Sequence, residues 1–90
     1  VLFEWDENKA QTNVQKHGVT FEEATEVFFD PFYQTGDASA DDKEDRDFII
    51  GYTFSQRLLL AVYTERGDRT RIISARSATR SERIVYEEAN

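Results

Sequence analysis

The chain has 90 residues, enough for one domain with a single modest hydrophobic core and too few for two. It contains no cysteine and only one histidine, which excludes a disulfide framework, a cysteine-ligated metal and a site built from several histidines, so we expect no metal and no cofactor. The net charge is −7, and no apolar run approaches the roughly 20 residues that span a bilayer or has the pattern of a signal peptide. We therefore expect a cytoplasmic protein with no membrane contact.

The charges are distributed unevenly along the sequence. Residues 57–83 hold seven arginines against three acidic residues, whereas residues 37–47 hold six acidic residues against one lysine and one arginine. A basic region within an acidic chain suits an anionic ligand or an acidic partner segment better than a broad nucleic-acid surface.

The first half of the chain predicts a short strand at residues 2–5 and then two helices. Asp6 is placed as the N-cap of the first helix, which runs to His17, and Gly18 follows as a left-handed C-terminal residue. An apolar stripe on this helix is expected to rest on the sheet, and it consists of Ala10, Val14 and His17. The solvent side is expected to carry Lys9, Asn13 and Lys16.

A second helix is predicted from the capping box of Thr20 and Glu23 to the Asp30-Pro31 pair, because a residue before proline leaves the helical region. Phe32 is then expected to tuck under the sheet edge together with Tyr33. Residues 34–47 are polar, acidic and rich in turn-forming residues, which predicts a mobile surface loop.

Three strands are predicted at residues 48–53, 58–65 and 69–76, and a final helix is capped by Thr79 and Glu82. The middle strand is apolar at nearly every position, which is typical of a strand covered on both faces. In the last strand one face is expected to carry Thr70, Ile72, Ser74 and Arg76. The predicted order is β-α-α-β-β-β-α, an α+β fold in which helices pack against an antiparallel sheet in two layers, as a single domain over residues 1–90.

The junction between the last strand and the last helix is the first candidate site. Arg76, Arg80 and Arg83 surround a helix N-terminus, whose unpaired N–H groups and partial positive charge suit a phosphate or a carboxylate. A capped helix with solvated arginines explains the same pattern. Glu82 is a candidate general base, although its spacing from Thr79 also gives it a capping role.

His17 is the second candidate, because histidine is the side chain whose unperturbed pKa lies closest to neutrality. A histidine immediately before a helix-ending glycine also serves as a partner of the helix dipole. The residues alone therefore define an anion-binding α+β domain, rich in arginine and poor in acid–base groups.

Several segments in register resemble the BrnT toxins of bacterial type II toxin–antitoxin pairs. They are FEWDENKAQTNVQKHGVTFEEATEVFFDP, the E-x-R-x-x-x-I-G pattern over residues 44–51, RLLLAVYTERGD and RIISARSATRSERIVYEE. Together they cover nearly the whole chain. Ser77 departs from the pattern, because a lysine is common at that position in the family.

The resemblance implies a RelE-like fold and a metal-independent endoribonuclease that cleaves RNA and blocks translation. It also implies a BrnA-type antitoxin with a ribbon-helix-helix domain, a heterotetramer of two toxins and two antitoxins, and contact with operator DNA only through the antitoxin. The catalytic candidates under this hypothesis are His17, Arg76, Arg80 and Glu82. The candidates for binding RNA phosphates are Lys9, Lys16, Arg57 and Arg83.

A second hypothesis is a binding module without activity, which docks a partner segment on its arginine-rich strand. The two hypotheses differ in a simple observable. A toxin should arrest growth when it is expressed alone, whereas a binding module should be tolerated.

Overall fold

A computed structural model describes residues 2–39 and 45–90 of the chain. The described residues form a five-stranded sheet in the order β1-β5-β4-β3-β2. In chain order the elements are β1 (Leu2–Glu4), α1 (Glu7–His17), α2 (Phe21–Thr25), a 3₁₀ helix (Glu26–Phe29), β2 (Gln34–Asp37), β3 (Asp47–Tyr52), β4 (Leu58–Arg66), β5 (Arg69–Ser77) and α3 (Arg80–Glu88). No helix among them is long and apolar enough to cross a membrane.

The α+β class is confirmed, but the sheet is mixed rather than antiparallel. Strands β2 to β5 are antiparallel neighbours, whereas β1 pairs with β5 in parallel, Phe3 lying opposite Thr70. The intervening helices and strands supply the long connection that a parallel pair requires. Sequence patterns do not reveal the partner of so short a strand, because pairing depends on residues far away in the chain.

Strand β2 is a second difference, since a loop was predicted over residues 34–47. Its four residues, QTGD, pair with β3, and Gly36 lies opposite Phe48. A Cβ at Gly36 would collide with the ring of Phe48, so a larger residue there would force that ring to move. The apolar side chain in this contact, Phe48, belongs to β3, and β2 contains no apolar side chain of its own. The sequence pattern therefore did not predict a strand there. Residues 40–44 of the predicted loop lie outside the described residues.

The sheet is covered by helices on both faces, so the fold has three layers rather than the predicted two. Along β4, Leu59 faces α2 in one buried cluster, whereas Leu58 and Leu60 lie in another cluster with Tyr86 of α3. The prediction that this strand is covered on both faces is confirmed. Each fully buried Leu or Ile side chain contributes roughly 1.5–3 kcal/mol to stability.

A β-bulge in β5 changes which residues face the helices. Val62 pairs with Ser74 but Tyr63 pairs with Ile72, which leaves Ile73 as the extra residue. Alternation therefore resets, and Ile72 and Ala75 face the same cluster although they are three residues apart. The predicted face of Thr70, Ile72, Ser74 and Arg76 is wrong for this reason.

The predicted caps of α1 and α3 are confirmed, whereas only half of the capping box predicted for α2 is seen. There the Thr20 hydroxyl accepts a hydrogen bond from the Glu23 amide, but the Glu23 carboxylate accepts one from Arg57. The Asp6 carboxylate accepts hydrogen bonds from the amides of Asn8 and Lys9, and Gly18 ends α1 with φ of 66°. At α3, Thr79 and Glu82 form a complete capping box. These caps fix where α1 and α3 begin, and therefore which residues they present to the sheet.

Candidate functional site

A buried asparagine anchors α1 to the sheet. The Asn13 Nδ2 atom donates hydrogen bonds to the carbonyl oxygens of Val19 at 2.9 Å and Ala75 at 2.8 Å, and its Oδ1 atom accepts one from the Ala75 amide at 3.0 Å. Strand β1 pairs with β5 only as far as Arg71. The Asn13 amide therefore bonds the backbone of Ala75 on the edge of β5 that faces away from β4, beyond the residues that pair with β1.

Asn13 was expected on the solvent side of α1, and this expectation is wrong. Apolar periodicity counts only apolar side chains, so it placed Val14 on the sheet, whereas Val14 is exposed and Asn13 is buried. A polar residue whose amide is fully hydrogen-bonded can replace an apolar contact at such a position. The helix is consequently rotated relative to the prediction.

The rotation creates a shallow pocket of about 300 Å³ between α1 and the part of β5 that β1 does not cover. We call it the basic pocket. Its lining consists of Asn8, Lys9, Thr12, Asn13, Lys16, His17, Ile73 and Ser74. Three of the predicted site residues, Lys9, Lys16 and His17, thus come together, because spacings of seven and eight residues place side chains on one helix face. No carboxylate from residues 2–39 or 45–90 lines this pocket.

Arg57 lies beside the end of α1 but is engaged within the protein. Its Nη1 atom donates to Glu23 Oε1 at 2.8 Å, and Nη1 and Nη2 also lie 3.4 and 3.5 Å from the Gly18 carbonyl oxygen. Arg57 therefore ties the connection between α1 and α2 to the start of β4. This contact fixes the position at which His17 ends the helix.

Arg76 and Glu82 form a two-pronged ion pair between β5 and α3. Arg76 Nη1 and Nη2 donate to the two carboxylate oxygens of Glu82 at 2.7 and 2.8 Å, and the Thr79 amide donates to the same carboxylate at 2.9 Å. The hydrogen bonds from Arg76, helped by the Thr79 amide and opposed by partial burial, lower the pKa of Glu82 to about 2. The carboxylate is therefore ionised at neutral pH, and three donors already occupy it.

The remaining two predicted arginines belong to α3. Arg83 donates to the Tyr52 hydroxyl at 3.1 Å. Arg80 is exposed and has no hydrogen bond or ion pair with any residue that the structure describes. With Arg76 and Glu82 they form the α3 group, none of which lines the basic pocket.

Most of the predicted site residues therefore lie in one of two separate places, the basic pocket or the α3 group. The side chain of Ala75 faces α1, and the side chain of the next residue, Arg76, faces α3 on the opposite side of the sheet. Sequence reasoning missed Asn13 as an anchor and missed the bulge at Ile73, a residue of the pocket lining. A bulge adds one residue without any mark in the composition, so no sequence signal could have located it.

A comparison of sequence and a comparison of structure point to the same protein family. Residues 5–82 match the sequence model of a family described as ribonuclease toxin, BrnT, of type II toxin–antitoxin system. The structure is similar to the 1.1 Å crystal structure of the Brucella abortus ribonuclease toxin BrnT, with a TM-score of 0.69 and 26% sequence identity over 89% of this chain and 100% of that one. No curated protein sequence matches the chain.

Proposed function

Because this chain belongs to the BrnT family of ribonuclease toxins of type II toxin–antitoxin systems, we propose that it cleaves RNA at the basic pocket without a metal ion. One observation carries the choice of pocket. In a chain with 18 acidic and 11 basic residues, the lining of this pocket combines Lys9, Lys16 and His17, and no acidic side chain of the described part of the chain contributes to it. A local excess of positive charge favours a phosphodiester there despite the net negative charge of the protein.

The proposed reaction is an internal transfer within RNA. The 2′-hydroxyl loses its proton and attacks the adjacent phosphorus, the bond from phosphorus to the 5′-oxygen breaks, and that oxygen takes up a proton. The products are a 2′,3′-cyclic phosphate and a 5′-hydroxyl. Such a reaction needs a proton carrier and cations that stabilise the charge on the phosphoryl oxygens.

The side chains of the basic pocket can be assigned to these needs. His17 is the only histidine in the sequence, and in our proposal it carries the proton. Lys9 and Lys16 stabilise the phosphoryl oxygens, because neither ammonium has an ion-pair partner among the described residues.

The α3 group takes a secondary role in this proposal. Arg80 and Arg83 are exposed and contact phosphates away from the bond that is cleaved. Glu82 positions Arg76 instead of acting as a general base, because a carboxylate with a pKa of about 2 is a weak proton acceptor at neutral pH. Arg57 supports the end of α1 and does not contact RNA.

The family membership also supports a partner. We propose that an antitoxin of the BrnA type neutralises the chain in the cytoplasm, in a complex of two toxins and two antitoxins. Operator DNA would then be bound by the antitoxin alone. The rival hypothesis of a binding module on the arginine-rich strand has a weaker basis, because Arg69 and Arg71 pair with Glu4, and Arg76 pairs with Glu82.

The proposal is tested by expressing the chain and its His17→Ala variant in bacteria without an antitoxin. We expect the parent to arrest growth and the variant to lose at least about 100-fold of its ribonuclease activity, the contribution typical of general acid–base catalysis. Gln15→Ala is the matched control, because Gln15 is exposed on the same helix outside the basic pocket. A His17→Ala variant that is folded by circular dichroism and still arrests growth like the parent would contradict the assignment.

A further inference from the structure

A second surface carries exposed aromatic side chains. Phe54 is 71% exposed and Phe29 is 62% exposed, and their ring centroids lie 6.4 Å apart. Phe32 and Tyr33 are also exposed, so the expectation that they tuck under the sheet edge is wrong. We call Phe29, Phe32, Tyr33 and Phe54 the aromatic patch. Clustered exposed aromatic residues in a small protein mark an interaction surface more often than scattered apolar residues do.

Two pockets adjoin the patch. The first, of about 330 Å³, lies against Pro31, Tyr52 and Phe54, and the second, of about 220 Å³, lies against Tyr33, Ile49 and Tyr63. Phe29 lines both pockets. Two adjacent apolar pockets of this size can each receive one large apolar side chain of a partner, which is the arrangement that an amphipathic segment fills.

The patch is held in place by hydrogen bonds to carboxylates. Asp30 accepts hydrogen bonds from the Tyr86 hydroxyl at 2.6 Å, the Tyr52 amide at 2.8 Å and the Phe32 amide at 2.9 Å. The Phe54 amide donates to Glu26 at 3.0 Å. The backbone that carries the aromatic rings is therefore fixed before any partner arrives, which lowers the entropic cost of binding.

The charge around the patch limits the kind of partner. Among the residues that the structure describes, only Asp30 and Glu65 are charged residues lining the two pockets, and Glu26 lies beside Phe54. A second copy of this chain, with a net charge of −7, would bring the same carboxylates face to face. A segment with apolar anchors and flanking Lys or Arg side chains would fill the two pockets and complement the negative charge of the carboxylates around them.

We propose that the aromatic patch docks the neutralising antitoxin through an amphipathic segment with two apolar anchors flanked by Lys or Arg. This inference rests on the proposed function, since it takes the partner to be an antitoxin. It places the partner on a surface whose lining shares no residue with the basic pocket. Antitoxin binding and RNA cleavage are therefore separable by substitution.

The test compares the double variant Phe29→Ser/Phe54→Ser with the parent in binding to the purified antitoxin encoded beside the toxin gene. Loss of two aromatic anchors should weaken binding by at least about 30-fold, as at other interface hot spots. Val85→Ser is the matched control, because Val85 is 53% exposed on α3 and lines neither pocket. The control should bind within about threefold of the parent.

Three outcomes would overturn the proposal. The first is binding by the double variant within about threefold of the parent. The second is an association rate for the parent that does not fall as salt is raised, because complementary charges accelerate association most at low salt. The third is a dimer of the chain alone, seen by sedimentation, that the double variant abolishes.

The same variant separates this proposal from the proposed function. Expressed alone, Phe29→Ser/Phe54→Ser should still arrest growth, and co-expressed antitoxin should no longer rescue the cells. Rescue as complete as for the parent would contradict the docking site. Failure of the parent itself to arrest growth would count against the toxin assignment. The binding measurement with purified proteins would still test the docking site in that case.

Discussion

The basic pocket and the aromatic patch are built in opposite ways. The pocket takes its cations from one face of one helix, and the buried side chain of Asn13 holds that helix on the unpaired part of β5. The patch joins the 3₁₀ helix to the turn between β3 and β4, and carboxylates hold its backbone. A chain with a net charge of −7 can therefore present a local cationic site, because its lysines and its histidine share one helix face and none of the described carboxylates lies beside them.

The largest effect that distinguishes the two regions is expected from Asn13→Ala. The substitution leaves the carbonyl oxygens of Val19 and Ala75 and the Ala75 amide without their partner. At about 1 kcal/mol for each lost hydrogen bond, the free energy of unfolding should fall by about 3 kcal/mol. Urea unfolding measures this change, and Asn8→Ala, an exposed position on the same helix, should change it by less than about 0.5 kcal/mol.

The same variant also tests whether the regions are independent. Because α1 loses its anchor, RNA cleavage should fall with Asn13→Ala, whereas antitoxin binding by the folded fraction should stay within about threefold of the parent. A loss of antitoxin binding as large as the loss of cleavage would show that the pocket and the patch are one coupled unit.

A smaller effect is expected from Glu82→Gln, which tests whether the ion pair with Arg76 stabilises the fold. The Arg76 side chain is 38% exposed, so solvent screening reduces the contribution of the pair to about 1 kcal/mol. The folded-state pKa of Glu82 is lowered to about 2 from an ordinary value of 4.5. The stabilisation is therefore fully present above about pH 4.5 and is lost as pH falls towards 2.

Unfolding of the parent and of Glu82→Gln should accordingly differ at pH 7 and converge as the pH approaches 2. Glu88→Gln, an exposed substitution at the end of the same helix, is the control and should follow the parent at both pH values. An equal difference between the parent and Glu82→Gln at pH 7 and at pH 2.5 would show that the ionised carboxylate is not the cause.

Local signals predicted much of this structure. The caps at Asp6, Gly18 and Thr79 act over three or four residues, and the sequence therefore located α1 and α3. The apolar run at residues 58–63 identified the central strand. Lys9 and Lys16 were named from the resemblance to a family and His17 from the chemistry of its side chain, and helical spacing accounts for their meeting on one face.

Non-local contacts account for what the sequence did not predict. The parallel pairing of β1, the ring of Phe48 over Gly36 and the role of Asn13 each depend on residues far away in the chain. The aromatic patch escaped prediction for a related reason. Phe54 lies in a turn and Phe29 at the end of a helix, and their contact arises only when β3 packs beside the 3₁₀ helix.

The assignment of RNA cleavage to the basic pocket is tested most directly by removing the cations of that pocket. The rate at which the purified chain cleaves labelled single-stranded RNA is then measured. With Lys9→Ala/Lys16→Ala, kcat/KM should fall by at least about 100-fold, the loss typical of removing groups that stabilise transition-state charge. Arg69→Ala, which removes an exposed arginine paired with Glu4 outside the basic pocket, should leave the rate nearly unchanged. Cleavage by the folded double variant at the rate of the parent would contradict the assignment of RNA cleavage to the basic pocket.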